Sequence, residues 1–269
     1  MVKELVEKTE HTTPLSVCVL ASGSKGNAVY VSDGTSAVLV DAGLSGKAIE
    51  RRMQERGLDP TDLTALIVSH EHTDHVQGIG VLSRRYKLPV FIAPGTLDAA
   101  PRIGRLHETF SFECGCDFAV GGLRIHPFSI SHDAADPAGF TLQGNGTKIG
   151  IATDLGIATA MVKEHLRACS LLILEANHDP DMLINGPYPW PLKQRIKSRS
   201  GHLSNEESKA LLGEVQHDAL KHVVLAHLSE TNNAPDTAYQ TVVSALTFCK
   251  PKVSVALQDH CGELIQLRR

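Results

Sequence analysis

Short runs of valine, isoleucine and leucine recur along the chain, and six of them lead directly into polar or ionisable residues. Apolar runs of about five residues are typical of strands buried on both faces. The residues at the ends of these runs can bind metal or transfer protons: Asp41, His70, His132, Asp154, Glu175 and His227. We therefore expect six strand ends to bring these side chains to one shared rim.

Helical patterns lie between the strands, and the stretch from 16 to 41 predicts strands separated by Gly/Ser/Asn/Asp turns. Ser45 is a candidate N-cap, and Ser204 with Glu207 forms an S-x-x-E capping box. The predicted helices cover residues 45–57, 158–168, 204–215 and 237–248. This mixture predicts an α+β fold in which two sheets pack on each other with helices outside.

The segment from 182 to 205 departs from both patterns. Pro187, Pro189 and Pro191 surround Trp190, the only tryptophan of the chain. Four cations then follow at alternate positions: Lys193, Arg195, Lys197 and Arg199. Because proline is excluded from helix interiors and central strands, we expect an ordered loop or lid here.

Composition excludes several classes of protein. The 269 residues are 42% hydrophobic and 21% charged, as in folded chains, and this length allows one large or two small domains. A net charge of −4 excludes nucleic-acid binding through a large positive net charge, but leaves room for a local basic groove. The sequence has no signal-peptide pattern, no membrane-length apolar run and no CxxC pair among its six cysteines. We expect a cytoplasmic protein that does not contact a membrane.

The motif that carries chemistry is H-x-H-x-D-H, formed by His70, His72, Asp74 and His75. Imidazole and carboxylate are preferred ligands of zinc and similar ions. Residues two apart diverge on a helix but share one face of a strand, so the strand-to-loop junction that follows Ile67 and Val68 can bring His70 and His72 together. Three later donors bring the set to seven, enough for two metals that share a carboxylate: His132, Asp154 and His227. The ligand types fit zinc or manganese, with iron as a third candidate.

The order of these residues resembles the metallo-β-lactamase-fold hydrolases. The resemblance implies a four-layer αββα sandwich over residues 15–269, without an inserted cap domain, after a flexible extension at 1–14. It implies that one metal is held by His70, His72 and His132. It also implies a second metal held by Asp74, His75 and His227, with Asp154 bridging the two. Asp41 is similar to the family residue that supports a metal ligand from behind.

Further motifs resemble the nucleases of this fold. The stretches LLILEAN with Glu175 and GHLS with His202 are similar to transfer-RNA 3′-processing nucleases, in which a Glu–His pair supports proton donation to the leaving oxygen. Together with SGSKGN and GPYPWPLKQRIKS, they resemble the small YycJ-type nucleases, which act 5′ to 3′ on DNA. The resemblance implies a metal-bridging hydroxide as nucleophile, with Asp74, Glu175 and His202 as catalytic residues.

Substrate contacts are expected from the Gly-rich segment 22–27, whose Lys25 could receive a 5′ phosphate, from the basic segment after Trp190, and from His178. DNA is favoured over RNA as the partner. Cations and aromatic rings there can follow a nucleic-acid backbone and stack on a base, although the same segments also fit a turn and a solvated loop. The candidates are Ser24, Lys25, Asn27, His178, Trp190, Lys193, Arg195 and Lys197. The alternatives to a nuclease are a thioester or lactone hydrolase on the same metal core and a non-catalytic metal-binding module. The pattern assigns no oligomeric state.

Overall fold

The computed structural model of the protein describes residues 13–100 and 103–268. The strands are β1 (Leu15–Ala21), β2 (Ala28–Ser32), β3 (Ala37–Val40), β4 (Leu63–Ile67), β5 (Pro89–Ile92), β6 (Glu108–Ser111), β7 (Phe118–Val120), β8 (Leu123–Ser129), β9 (Ala138–Gly144), β10 (Thr147–Ala152), β11 (Leu171–Glu175), β12 (His222–Ala226), β13 (Lys252–Val255) and β14 (Ile265–Leu267). The helices are α1 (Gly46–Glu55), α2 (Thr73–Val76), α3 (Ile79–Tyr86), α4 (Pro94–Ala99), α5 (Ala160–Leu166), α6 (Pro180–Asn185), α7 (Trp190–Ile196), α8 (Asn205–Val215) and α9 (Pro235–Val243). Residues 1–12 of the expected flexible extension lie outside the described residues.

These strands form two seven-stranded sheets. The first has the order β14-β1-β2-β3-β4-β5-β6, and the second has the order β13-β12-β11-β10-β9-β8-β7. In each sheet one half is antiparallel and the other half is parallel, with β3 to β6 parallel in the first and β10 to β13 parallel in the second. Both sheets are therefore mixed, as expected for an α+β fold rather than a doubly wound one.

Three apolar layers hold the sheets and helices together. Between the two sheets lie side chains such as Val38, Ile67 and Ile173. A second layer joins the outer face of the first sheet to α1 and α3, and a third joins the second sheet to α5, α8 and α9. Alternate residues of one strand serve different layers, since side chains alternate across a sheet: Ile67 faces the central layer and Leu66 faces the helices. The predicted αββα sandwich is confirmed.

The rim predicted from the apolar runs exists. Asp41 follows β3, and Asp154 and His227 follow β10 and β12. Carboxyl ends of parallel strands meet at one edge of a sheet. β8 is antiparallel to β9, which is antiparallel to β10, so β8 runs in the same direction as β10 and delivers His132 to the same edge.

The four helices predicted from capping and periodicity are present, most of them shorter than expected. Ser45 caps α1 by accepting a hydrogen bond from the Ala48 amide. Ser204 and Glu207 form the reciprocal capping box of α8. The helix expected at 158–168 covers 160–166, and the one expected at 237–248 covers 235–243. None of the helices in the described parts of the chain has the length and apolar character needed to span a bilayer.

The expectation of a loop without helix between 182 and 205 is wrong. α6 extends to Asn185 and α7 covers Trp190–Ile196, with a proline in the first turn of each. Proline fits the first turn because its missing N–H would have no intrahelical acceptor there, and its fixed φ suits a helix. Pro191 therefore lies in the first turn of a helix rather than breaking one.

Candidate active site

The first three histidines converge from two sheets. His70 follows β4, His72 is the N-cap of α2, and His132 follows β8. Nδ1 of His72 lies 3.1 Å from Nε2 of His70 and 3.3 Å from Nε2 of His132. His72 takes an extended backbone (φ −59°, ψ 145°) as the N-cap of α2, so its ring stands before the helix and beside His70.

A second cluster consists of Asp74, His75 and His227. Asp74 and His75 lie on α2, and His227 comes across from the end of β12. Oδ2 of Asp74 is 3.5 Å from Nε2 of His75 and 3.7 Å from Nε2 of His227. The N-cap and the single turn of the short helix α2 thus supply side chains to both clusters.

Asp154 lies between the two clusters. Its Oδ1 is 3.8 Å from Nε2 of His132 and 3.5 Å from Nε2 of His227, and its Oδ2 is 3.3 Å from Nε2 of His75. Asp154 has φ 57°, and Asp41 and His227 have φ 60° and 57°. Non-glycine residues seldom adopt this left-handed region. At these strand ends it turns the chain sharply as it leaves the sheet.

The chemistry and burial of these residues fit divalent metal ions. The ligand atoms within each cluster all lie within 4.8 Å of one another. Oδ2 of Asp154 and Nε2 of His227 are buried without a hydrogen-bond partner among the described residues. Burial opposes protonation of His227, but Asp154, Asp74 and Glu175 outweigh it and raise its pKa to about 10. The same carboxylates favour a bound cation. The residues therefore indicate a divalent-metal centre.

Two buried carboxylates contact the Nδ1 atoms of histidines at the site. Oδ2 of Asp41 lies 2.8 Å from Nδ1 of His75 and accepts a hydrogen bond from the Ser69 hydroxyl. Glu175 is fully buried, and its Oε1 lies 2.9 Å from Nδ1 of His227 and 2.8 Å from Nδ1 of His202. Such contacts fix the orientation of a ring and which nitrogen faces the metal.

Glu175 carries its charge in spite of complete burial. Its Oε2 accepts hydrogen bonds from the backbone amides of Leu155 and Leu203. Burial opposes ionisation, but the charges and hydrogen bonds of His202 and His227 outweigh it and hold the pKa of Glu175 well below its ordinary value. Glu175 is therefore an anion against which both imidazoles are held.

His202 lies beside both clusters on the segment between α7 and α8. Its ring centroid is 5.1 Å from those of His132 and His227, and its side chain is 20% exposed. The neighbouring Gly201 carbonyl lies 3.2 Å from Nδ1 of His132. The same stretch of chain thus positions a metal-cluster histidine and presents a solvent-accessible one.

The expected substrate residues divide into two groups. The first group is exposed, and two of its members, Ser24 and Arg195, line the cleft that contains both clusters. Trp190 is 59% exposed, and the Lys25 ammonium lies 2.6 Å from Glu230. Arg195 lines the cleft, and its Nε lies 2.5 Å from Oδ2 of Asp133. The exposed residues are Ser24, Lys25, Trp190, Arg195 and Lys197.

The second group is buried, and its members contact protein atoms instead of the cleft. The Asn27 amide lies against Asp74 and 3.0 Å from Nε2 of His75. The Lys193 ammonium donates to the carbonyls of Ile184 and Gly186, which ties α7 to the preceding segment. His178 is 3% exposed.

Sequence reasoning did not find Asn177. Its Nδ2 donates to the His227 carbonyl at 2.9 Å, and its backbone carbonyl accepts from the Ser229 amide. The available signal was its position after β11, where polar residues at strand ends gather. An asparagine at that position is equally typical of a residue that only ends a strand.

Comparison with known proteins places this geometry in a family. The family described as "Beta-lactamase superfamily domain" matches residues 36–228, which include both clusters and Glu175. This chain belongs to the beta-lactamase superfamily. It shares with the superfamily the metallo-β-lactamase fold: the YhfI protein of Bacillus subtilis, described as having that fold, superimposes with a TM-score of 0.74 at 18% identity, covering 93% of this chain and all of the other.

Curated members of the superfamily are also similar in sequence. The chain is 39% identical to "Exodeoxyribonuclease YycJ" of Bacillus anthracis over 86% of its length and 89% of the relative's. It is 36% identical to "Exodeoxyribonuclease WalJ" of Streptococcus pneumoniae over 85% of its length and 87% of the relative's. The resemblance to YycJ-type nucleases noted in the sequence is confirmed. This branch of the superfamily consists of hydrolases.

Proposed function

We propose that this protein is a metal-dependent phosphodiesterase that removes nucleotides from the 5′ end of DNA. The observation that carries the proposal is the His202–Glu175 pair beside the two clusters, because it offers a proton donor where a leaving oxygen would form. Relatives named exodeoxyribonucleases, similar over most of the chain, support DNA as the substrate. We also propose a cytoplasmic location, which its unpaired cysteines favour.

Two metal ions would be held by the residues already described, with Asp154 contacting both sets. A bound metal pair supplies Lewis acidity, which activates water and offsets the charge of the phosphate. The donor set fits zinc, manganese or iron. The buried carboxylates Asp41 and Glu175 keep the histidine rings oriented for this task.

His202 would act as the general acid. Glu175 faces its Nδ1, so a protonated imidazole keeps Nδ1–H on the carboxylate and presents Nε2–H to the substrate. Donation of that proton to the departing 3′ oxygen contributes about 100- to 10,000-fold to the rate in comparable enzymes. Lys25 and Arg195, each paired with one acid at present, are placed to exchange these partners for phosphates of the DNA.

The test is digestion of DNA and RNA strands labelled at either end, with and without a 5′ phosphate, by protein whose metal content has been measured. We expect stepwise release of nucleotides from 5′-phosphorylated DNA and its loss in Asp74→Asn. Asp218→Asn is the matched control, since Asp218 is exposed and precedes β12, at the edge opposite the rim. A metal-loaded protein that leaves every nucleic acid intact refutes the proposal, and thioester hydrolysis by that protein would establish the alternative.

A further inference from the structure

We infer that a cavity beside His202 is a nucleoside-binding pocket that holds the leaving nucleotide during cleavage. The cavity has a volume of about 270 Å³ and shares Ser24, Arg195 and His202 with the cleft that contains the two clusters. This inference rests on the proposed exonuclease activity and specifies where one part of its substrate lies. We call the cavity the Tyr188 pocket, because Tyr188 is its aromatic wall.

The walls of the Tyr188 pocket suit a nucleoside. Tyr188, Leu192 and Ile196, from α7 and the segment before it, form an aromatic and aliphatic side. An aromatic ring stacks on any base, since every base has a π-face. The half-buried Tyr188 ring is therefore placed to stack on a base without selecting its identity.

Asn177 and Ser229 add polar groups to the lining of the pocket. Asn177 is 5% exposed, and its Nδ2 is held by the His227 carbonyl, which leaves Oδ1 to accept a hydrogen bond from a ligand. The Ser229 hydroxyl accepts from the Asn232 amide, so its proton is free to be donated. A pocket that combines apolar side chains with a donor and an acceptor offers what a base, its edge and a sugar hydroxyl require.

His202 determines which nucleotide enters the pocket. In the proposed reaction a water gives up one proton to solvent and its oxygen bonds to phosphorus. The bond between phosphorus and the 3′ oxygen breaks, and the His202 proton passes to the 3′ oxygen. The sugar that carries this oxygen must lie within hydrogen-bond reach of Nε2 of His202. Because the pocket begins at His202, it receives the nucleoside on the 5′ side of the cleaved bond.

The size of the Tyr188 pocket predicts the product. Ligand pockets commonly measure about 300–1,000 Å³, so a pocket of about 270 Å³ lies at the small end of this range and fits one nucleoside better than two. The reaction therefore releases single nucleotides with a free 3′ hydroxyl. The shortened DNA keeps a 5′ phosphate, so it is a substrate for the next round.

Binding of 2′-deoxyadenosine 5′-monophosphate to the metal-loaded protein tests the pocket without any turnover. Calorimetry gives the affinity, and the fluorescence of Trp190, the only tryptophan, on the helix that carries Leu192, is followed as a second signal. We expect Tyr188→Ala to weaken nucleotide binding about 5- to 150-fold, as loss of one stacking contact does. Tyr188→Phe, which keeps the ring, should bind as the unmodified protein does.

Two comparisons separate this inference from the proposed function. Inorganic phosphate, which has no base, should bind equally to the unmodified protein and to Tyr188→Ala, and the metal content of both should match. If the enzyme is active but Tyr188→Ala does not change its nucleotide affinity, or if it releases dinucleotides, the pocket inference is refuted. The exonuclease proposal is unaffected by either result. Nucleotide binding that depends on Tyr188 in a protein that cleaves no DNA refutes the exonuclease and retains a nucleotide site.

Discussion

Nδ1 of His202 lies 2.8 Å from Oε1 of Glu175, and the carboxylate is fully buried while the imidazole reaches the cleft. An anion fixed in this position settles which ring nitrogen carries hydrogen toward the protein interior. The other nitrogen is left for the substrate. The buried charge of Glu175 therefore orients His202 so that a proton on its other ring nitrogen is accessible to the substrate.

Replacing His202 with alanine should lower DNA cleavage about 100- to 10,000-fold, the usual contribution of a general acid. The same variant should keep most of its activity on bis(p-nitrophenyl) phosphate, because nitrophenolate departs without receiving a proton. Steady-state rates on both substrates, at matched metal content, measure the difference. Equal losses on the two substrates would mean that His202 serves the metal centre instead of the leaving group.

Replacing Asp41 with asparagine should weaken metal binding about 10- to 100-fold. The carboxylate that now lies 2.8 Å from Nδ1 of His75 would be replaced by a neutral amide, so the ring would lose its orienting anion. Competition with a chelator of known affinity measures the change. Asp98→Asn, at an exposed position on α4, is the control, and an affinity equal to that of the unmodified protein would exclude this role for Asp41.

Chelation should lower the melting temperature by about 8–16 °C when the metal has been present at about 1,000 times its dissociation constant. Such binding stabilises the folded state by about 4 kcal/mol, and a chain of this size shifts by about 2–4 °C per kcal/mol. The effect has a structural basis, because His72 and His132 reach the first cluster from different sheets. Calorimetric scans before and after chelation, with metal restored as the control, test this expectation. Identical melting temperatures would show that the ions do not join the sheets.

Replacing Asp33 with asparagine should destabilise the protein by about 1 kcal/mol at pH 7. Burial opposes ionisation of Asp33, but hydrogen bonds from Thr35 and Ser36 outweigh it and lower its pKa. A lowered folded-state pKa stabilises above the ordinary value of 3.8 and loses its effect as the pH falls through the lowered value. The difference between the two proteins in unfolding free energy should therefore shrink from pH 7 toward pH 3. A difference independent of pH would contradict the assignment.

Sequence patterns predicted the site because its residues follow apolar runs. Asp41, Asp154 and His227 each come directly after a strand of such a run or within two residues of its end, and strand direction alone then brings them together. The capping box at Ser204 likewise marked the start of α8, since its signal is local. Local signals of this kind can be recognised in the sequence before the fold is known.

Other features depended on contacts between distant segments. Asn27 lies in a turn-like sequence, yet its amide packs against Asp74, 47 residues away. Lys193 looks like one of four surface cations, but its ammonium is buried between two carbonyls. The prolines of the 182–205 segment also led to a wrong prediction. The effect of a proline on a helix depends on whether it falls inside the helix or in its first turn.

The division of the ligands between two sheets also sets the order of events during synthesis. His70 to His75 belong to the first half of the chain, and His227 is made about 150 residues later. At about 5–20 residues per second, ribosomes take on the order of 10 s to cover that interval. Until then the incomplete chain lacks the last of the seven proposed ligands. The second cluster is therefore completed only after β12 has been made and the second sheet has packed on the first.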